Sequence, residues 1–364
     1  MQAIADPLNL NRLKPAEGRL ECLYPDRRRS EEWEREMKRS IFAAGLGLIA
    51  TMAQADEKPV LNVYTYDSFT AEWGPGPAVE AAFEATCECD LQFTAAGDGA
   101  ALLARVQLEG ARSKADVVLG LDTNLTARAE ATGLFAEHGL SPELSLPVTW
   151  KNSNFLPFDF GYFAFIHNAD LVDVPTSFTE LAASDLKIVI QDPRSSTPGL
   201  GLAYWVQAVH GEDATAVWAD LADNVLTVTK GWSEAYGLFL EGEADMVLSY
   251  TTSPSYHVIA EGDETKKAAL FEAGHYMQIE VAGILKASEN QALAQEFMAF
   301  MVSDAFQEII PTTNWMFPAA TPSAGLPEGF AAPIAADKAL LMSDAEAEAA
   351  RDAVLAAWLE GLGQ

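Results

Sequence analysis

Basic residues are scarce in this sequence: 23 Lys and Arg stand against 53 Asp and Glu in 364 residues, for a formal net charge of −30. So negative a surface repels phosphate backbones. No cluster of Lys and Arg interleaved with aromatics breaks the pattern, so nucleic acid and acidic lipid surfaces are excluded as partners. A run of about 18 apolar residues, the length a transmembrane helix needs, is also missing. Histidine is rare, at positions 138, 167, 210, 257 and 275 only, with no metal-ligand spacing among them. HExxH, GxSxG, GxxxxGK[ST] and GxGxxG do not occur between 56 and 364, so the local signatures of zinc proteases, serine hydrolases, P-loop enzymes and dinucleotide enzymes are lacking. A Ser-His-Asp triad that assembles only in space leaves no such signature, and the carboxylates are too abundant for a catalytic pair to stand out. What the chain does have is apolar residues, 49 % of its length. That is enough for a real core, so the acidity belongs to a globular surface and not to a disordered tail.

The N-terminal region reads as an export signal. From Met37 the sequence runs MKRSIFAAGLGLIATMAQA: Lys38 and Arg39 form a basic n-region, Ile41 to Met52 an apolar h-region, and Ala53-Gln54-Ala55 a small-x-small exit. That order is a Sec signal over 37–55, cut before Asp56. The polar extension 1–36 lies upstream, so either translation starts at Met37 or the n-region is long. The Arg27-Arg28-Arg29 run is followed by SEEWERE and not by apolar residues, which removes a twin-arginine reading. Without residues 1–55, the remaining 309 residues carry 14 Lys and Arg against 45 Asp and Glu, a net charge of −31. The cysteines left are Cys87 and Cys89, and an exported chain meets oxidising conditions that allow them a short disulfide of small entropic value. No cysteine follows the h-region to carry a lipid, so the expected location is the periplasm, without an anchor.

From residue 56 onward the pattern alternates strand and helix. Strand-like Val60–Tyr66 is followed by a helix over 78–85, a strand over 90–94, a helix over 98–108 capped by Asp98, and a doubly apolar strand over 115–120. The rhythm continues with strands at 160–167, 187–191, 226–229, 245–249 and 275–285. Helices fall at 123–132, 177–184, 199–210, 213–223, 232–240, 290–301 and 303–310, and a last one spans Asp344–Leu362. The alternation predicts an α/β fold with a parallel sheet. A chain of this length fits two α/β lobes with a cleft between them. The long extended runs Phe158–His167 and His275–Leu285 are placed to cross from one lobe to the other. This assigns 56–159 with 286–364 to lobe 1 and 160–285 to lobe 2.

Ligands of α/β folds bind in loops beyond strand ends. Four such loops are rich in small polar residues and aromatics: Tyr64–Ser68, Gly97–Gly99, Asp192–Gly199 and Ser249–Pro254. Ser196-Thr197 before Pro198-Gly199 is N-cap chemistry, and the free N–H groups of a helix start suit an anionic ligand group. Trp232, Tyr236, Tyr250, Tyr256 and Trp315 add aromatic side chains nearby. Negative aromatic faces in an acidic protein suit a planar, cationic or heteroaromatic ligand.

The runs VYTYDSFTAEWGPGP (63–77), SKADVVLGLD (113–122), LPFDFGYFAF (156–165), QDPRSSTPGLGLAYW (191–205), VTKGWSEAYGLFLEGEADMVLSYTTSPSYH (228–257) and IPTTNWMFPA (310–319) closely resemble the periplasmic thiamine-binding proteins of bacterial ABC importers. The resemblance extends from 58 to about 330, and TKGWSEAYG and SYTTSP are its most specific parts. It implies a two-lobed type II periplasmic-binding fold without catalytic activity or resident cofactor. Such a protein delivers thiamine and its phosphate esters to the membrane permease and ATPase subunits of an importer, and works as a monomer. Carried over by motif, the ligand site comprises Asp98, Gly99, Ser196, Thr197, Trp232, Tyr250, Thr251, Thr252 and Ser253, with Tyr66, Tyr256 and Trp315 as further aromatic walls. The rival within the fold is a ferric-ion binder, which would show adjacent tyrosines with oxygen-rich partners; no Tyr-Tyr pair is present. The rival from another class is a secreted hydrolase.

Overall fold

The computed structural model describes residues 58–363. The extension and the signal expected over 37–55 lie outside the described residues. Of the eleven strands among the described residues, nine order the fold: β1 (Val60–Thr65), β2 (Asp90–Ala95), β3 (Val117–Asp122), β4 (Phe155–Asn168), β5 (Ile188–Gln191), β6 (Val225–Thr229), β7 (Met246–Tyr250), β8 (Lys266–Ala268) and β9 (His275–Ile284). The main path runs β2-β1-β3-β9-β4-β7-β5-β6, with β8 beside the end of β4. β1 pairs in parallel with β2 and β3, and β5 with β6 and β7, each through the helical crossovers the alternating pattern calls for.

The two long strands depart from the expected parallel sheet. β4 and β9 run antiparallel to each other, β9 is antiparallel to β3, and β4 to β7. The reason is the path of the chain: it leaves the first parallel group along β4 and returns along β9, so these strands must oppose. β4 is 14 residues long and serves two ladders. Its first part, Phe155 to Tyr162, pairs with β9, and Phe163 to His167 pair with β7. Both strands are buried almost throughout, which explains their near-continuous apolar sequences.

One further difference has a local cause. The expected helix over 303–310 is broken into Asp304–Gln307 and Ile310–Thr313, because Pro311 has no N–H to continue the first piece and sits well in the opening turn of a second. The C-terminal helix, grouped by sequence with lobe 1, spans Asp344–Gly361. It rests on Ala214–Leu221 and Thr197–His210 as well as on Thr126–Ala131. Its buried stripe of Ala347, Val354 and Trp358 requires an apolar partner, and Trp218 and Tyr204 in the same core supply one. The Tyr204 hydroxyl donates to the Ala347 carbonyl at 2.6 Å. A capping box closes the start of this helix, with the Ser343 hydroxyl accepting from the Glu346 N–H and the Glu346 carboxylate accepting from the Ser343 N–H. Cys87 and Cys89 are joined by a disulfide, with Cα atoms 5.2 Å apart, and sit in the core beside Phe83 and Leu91.

If this docking holds the C-terminal helix, Trp358→Ala removes a fully buried indole and should cost about 3–5 kcal/mol in urea unfolding. A loss below about 1 kcal/mol would mean that the helix adds little to the folded unit.

Candidate ligand-binding site

A cavity of about 500 Å³ opens where β1, β5, β6 and β7 end, the position that α/β topology favours for ligands. Of the twelve residues expected from sequence, Tyr66, Asp98, Thr197, Trp232, Tyr250, Ser253, Tyr256 and Trp315 line it. Gly99, Ser196, Thr251 and Thr252 do not. The last two are buried below the surface because the chain turns at Tyr250 directly into Ser253–Tyr256; the Thr251 N–H donates to the Tyr162 carbonyl at 2.9 Å.

Gly99 and Ser196 support the wall from behind, and in doing so they overturn two expected caps. Asp98 occupies the N-cap position of Gly99–Glu109, yet its side chain does not cap that helix. Asp98 Oδ2 accepts instead from the Ser196 hydroxyl at 2.7 Å and from the Trp232 N–H at 3.2 Å. The Gly99 N–H donates to Thr197 Oγ1 at 3.0 Å. Thr197 thus serves the start of Gly99–Glu109, Asp98 serves the start of Trp232–Leu240 and holds the Ser196 hydroxyl, and residues about a hundred apart in sequence are tied together. Any side chain at position 99 would collide with that Thr197 hydroxyl.

The walls are aromatic. Trp232 stacks on Tyr236 with centroids 5.0 Å apart, Trp73 lies 6.1 Å from Trp232, and Tyr256 meets Trp315 edge-on at 5.3 Å. The Trp232 indole N–H is anchored to Ser249 Oγ at 2.8 Å, which fixes the ring plane. Trp315 has φ +57°, a left-handed conformation that costs a bulky residue of order 1 kcal/mol. The short helix restarted at Pro311 holds it there. Gly120, at φ +99°, leaves room for the Tyr66 ring, which a Cβ would overlap.

The floor is acidic, and sequence reasoning missed most of it. Glu280 of β9 lines the cavity while only 6 % exposed. It accepts from the Tyr66 hydroxyl at 2.9 Å and from Gln278 Nε2 at 2.6 Å. Gln278 in turn accepts from the Tyr250 hydroxyl at 2.8 Å. Asn314 donates to the Tyr66 oxygen at 2.9 Å and to Asp159 Oδ2 at 2.6 Å. A lone Glu within the apolar run HYMQIEVAGIL was a legible signal for Glu280, and the WGPGP turn for Trp73; Asn314 had none beyond its neighbour Trp315. No Lys, Arg or His lines the cavity among the described residues.

Burial dominates the ionisation of these acids. Desolvation pushes Asp98 up to about 6, against the lowering effect of its Ser196 and Trp232 hydrogen bonds. Desolvation likewise raises Asp159 to about 8 despite the Asn314 amide, and raises Glu280 well above the carboxylate range with Asp159 adding repulsion. Among the described residues, no serine or threonine hydroxyl is hydrogen-bonded to a histidine: His257, for example, holds Tyr236 and Glu261.

Residues 70–308 match the model of the bacterial extracellular solute-binding proteins. The chain belongs to this family. Within it, a thiamine-binding periplasmic protein of Escherichia coli strain K12 is 52 % identical over 315 residues, spanning 85 % of this chain and 96 % of the relative. One from Brucella abortus is 48 % identical over 324 residues, 88 % of this chain and 96 % of the relative. The solved structure of a periplasmic thiamin binding protein superposes with a TM-score of 0.81 at 51 % identity, covering 84 % of this chain and 97 % of that one. The solute-binding protein therefore has the type II periplasmic-binding fold expected from its motifs.

The raised acids set the sign of the pH dependence. A carboxyl held above its unfolded value adds stability below about pH 4 that is lost as pH rises through the folded value. For Asp98 and Asp159 that window runs up through about 6 and about 8. The ligand-free solute-binding protein should melt at progressively lower temperature from acid to mildly alkaline pH. Asp159→Asn should flatten this decline by about 2–4 °C per kcal/mol relieved, as read by thermal unfolding across pH.

Proposed function

We propose that this chain captures thiamine, and through its helix-197 loop the phosphate esters of thiamine, in the periplasm and hands them to the permease and ATPase subunits of an ABC importer. The observation that carries the reading is a cavity walled by Trp73, Trp232, Tyr236, Tyr256 and Trp315, floored by Asp98 and Glu280, and without a basic side chain among the described residues. Thiamine is a heteroaromatic cation, and aromatic faces with carboxylates behind them attract such a group by quadrupole and charge together. The names of the half-identical relatives point the same way. The N-terminus of Thr197–His210, whose first residues border the cavity, offers N–H groups to an ester phosphate. The protein acts by capture rather than catalysis, as a monomer without resident cofactor. Ligand draws the two lobes together, and the closed form docks on the permease.

The ferric alternative finds little support in the tyrosines. The Tyr66, Tyr250 and Tyr256 hydroxyls are each engaged by a protein partner, Glu280, Gln278 and Glu261, and none is left free as a ligand for a hard cation.

Calorimetric titration of protein stripped of copurified ligand by unfolding and refolding should give saturable one-to-one thiamine binding. Trp232→Ala and Tyr250→Ala should each weaken it by about 1–3 kcal/mol without unfolding the chain. Unchanged dissociation constants in both variants would dismiss the site, and silence with thiamine but saturation by ferric ion would reassign the cargo.

A further inference from the structure

Under the cavity floor two acids face each other across the central strand pair. Asp159 of β4 and Glu280 of β9 are direct partners in the antiparallel register, so their side chains leave the same face a few ångströms apart. Asp159 is fully buried and Glu280 nearly so. Two ionised carboxylates in such a place repel strongly and are poorly solvated. Every hydrogen bond to the pair is from a neutral group. Tyr66 and Gln278 donate to Glu280, and Asn314 donates to Asp159, whose Oδ1 is buried without a partner among the described residues. The charged and titratable groups around the pair make matters worse, since Asp98 and Asp122 are acids and Tyr66 and Tyr250 phenols, with no cation among those that bear on Glu280. A bare dianion is thus the least favoured state of an empty floor, and a positive charge entering the cavity above Glu280 is what would stabilise it.

We propose that Asp159 and Glu280 share a proton while the cavity is empty and release it to solvent when a permanently cationic ligand binds, making the pair the element that selects for ligand charge. This rests on the thiamine reading above and adds to it a requirement for charge. One positive charge enters and one proton leaves, so the buried site gains no net charge on binding. A neutral ligand of the same shape displaces no proton and gains nothing from the floor. Glu280 borders the ligand, while Asp159 acts through it as a positioning residue that keeps the proton in place. Burial, with repulsion from Asp159 added at Glu280, holds both carboxyls above their ordinary range, which accords with a proton being kept there.

The test is calorimetry near pH 7 in two buffers of different ionisation enthalpy, phosphate and Tris, with thiamine and with its neutral thiophene isostere. The difference in binding enthalpy between buffers counts protons. Wild-type protein should release close to one proton per thiamine, and its affinity should rise up to about tenfold per pH unit through neutrality. The isostere should release none and bind at least about tenfold more weakly. Asp159→Asn should still bind thiamine but with the proton count sharply reduced, whereas Glu212→Gln, removing an exposed acid outside the cavity, should keep the count. Thiamine binding without proton release, or an unaltered count in Asp159→Asn, would overturn the pair's role and leave the thiamine reading standing. If Asp159→Asn does not fold, the wild-type count and the isostere decide alone. No thiamine binding at all would overturn both.

Discussion

The antiparallel pairing of β4 with β9 is the constraint on which the rest of this structure depends. One strand carries the chain out of the first parallel group and the other brings it back. The two parallel ladders therefore meet through β4, and the loops that end β1, β5, β6 and β7 converge on one cavity. Burial on both faces forces the pair to be apolar almost throughout. Two acids placed opposite each other within it stand at a cost that packing elsewhere must offset. Their neutral donors, Tyr66, Gln278 and Asn314, come from three different segments, so the floor exists only when the whole unit is folded.

The cavity is built by exchange between segments. Asp98 and Thr197 each sit at a helix start, and each is satisfied by the other's loop. Polar side chains that would serve local capping are thereby converted into a tether between distant loops, and Asp98 is held half-buried at the cavity. The aromatic walls follow the same logic. Trp232 is held through its indole N–H by Ser249, and Trp315 by a helix that Pro311 forces to restart. Rings oriented by such contacts have little freedom left to lose, which favours affinity at a preorganised cavity.

Much of this was legible in the chain. The alternation of period-2 and period-3.6 patterns placed nearly every strand and helix, since those periods follow from local geometry alone. Eight of the twelve expected site residues line the cavity, because strand-end loops with aromatic and hydroxyl side chains are recognisable as such. The misses have a common cause. Glu280, Asn314 and Trp73 lie far apart in sequence, and nothing local marks them as neighbours of Tyr66 and Trp232. Thr251 and Thr252 share a motif with Tyr250, but the direction of each side chain is set by the turn that follows. The C-terminal helix carried a clear apolar stripe without an address for it.

By itself, then, the sequence determined the elements, the strongly acidic composition, and a binding role whose residues cluster at strand ends. These depend on composition and on patterns repeated within a few residues. Only the tertiary structure decided that β4 and β9 oppose each other, that the loops before Gly99 and Thr197 are tied together, and that Asp159 faces Glu280 beneath the cavity. Those are pairings between segments tens to hundreds of residues apart, where register and burial settle which side chains meet.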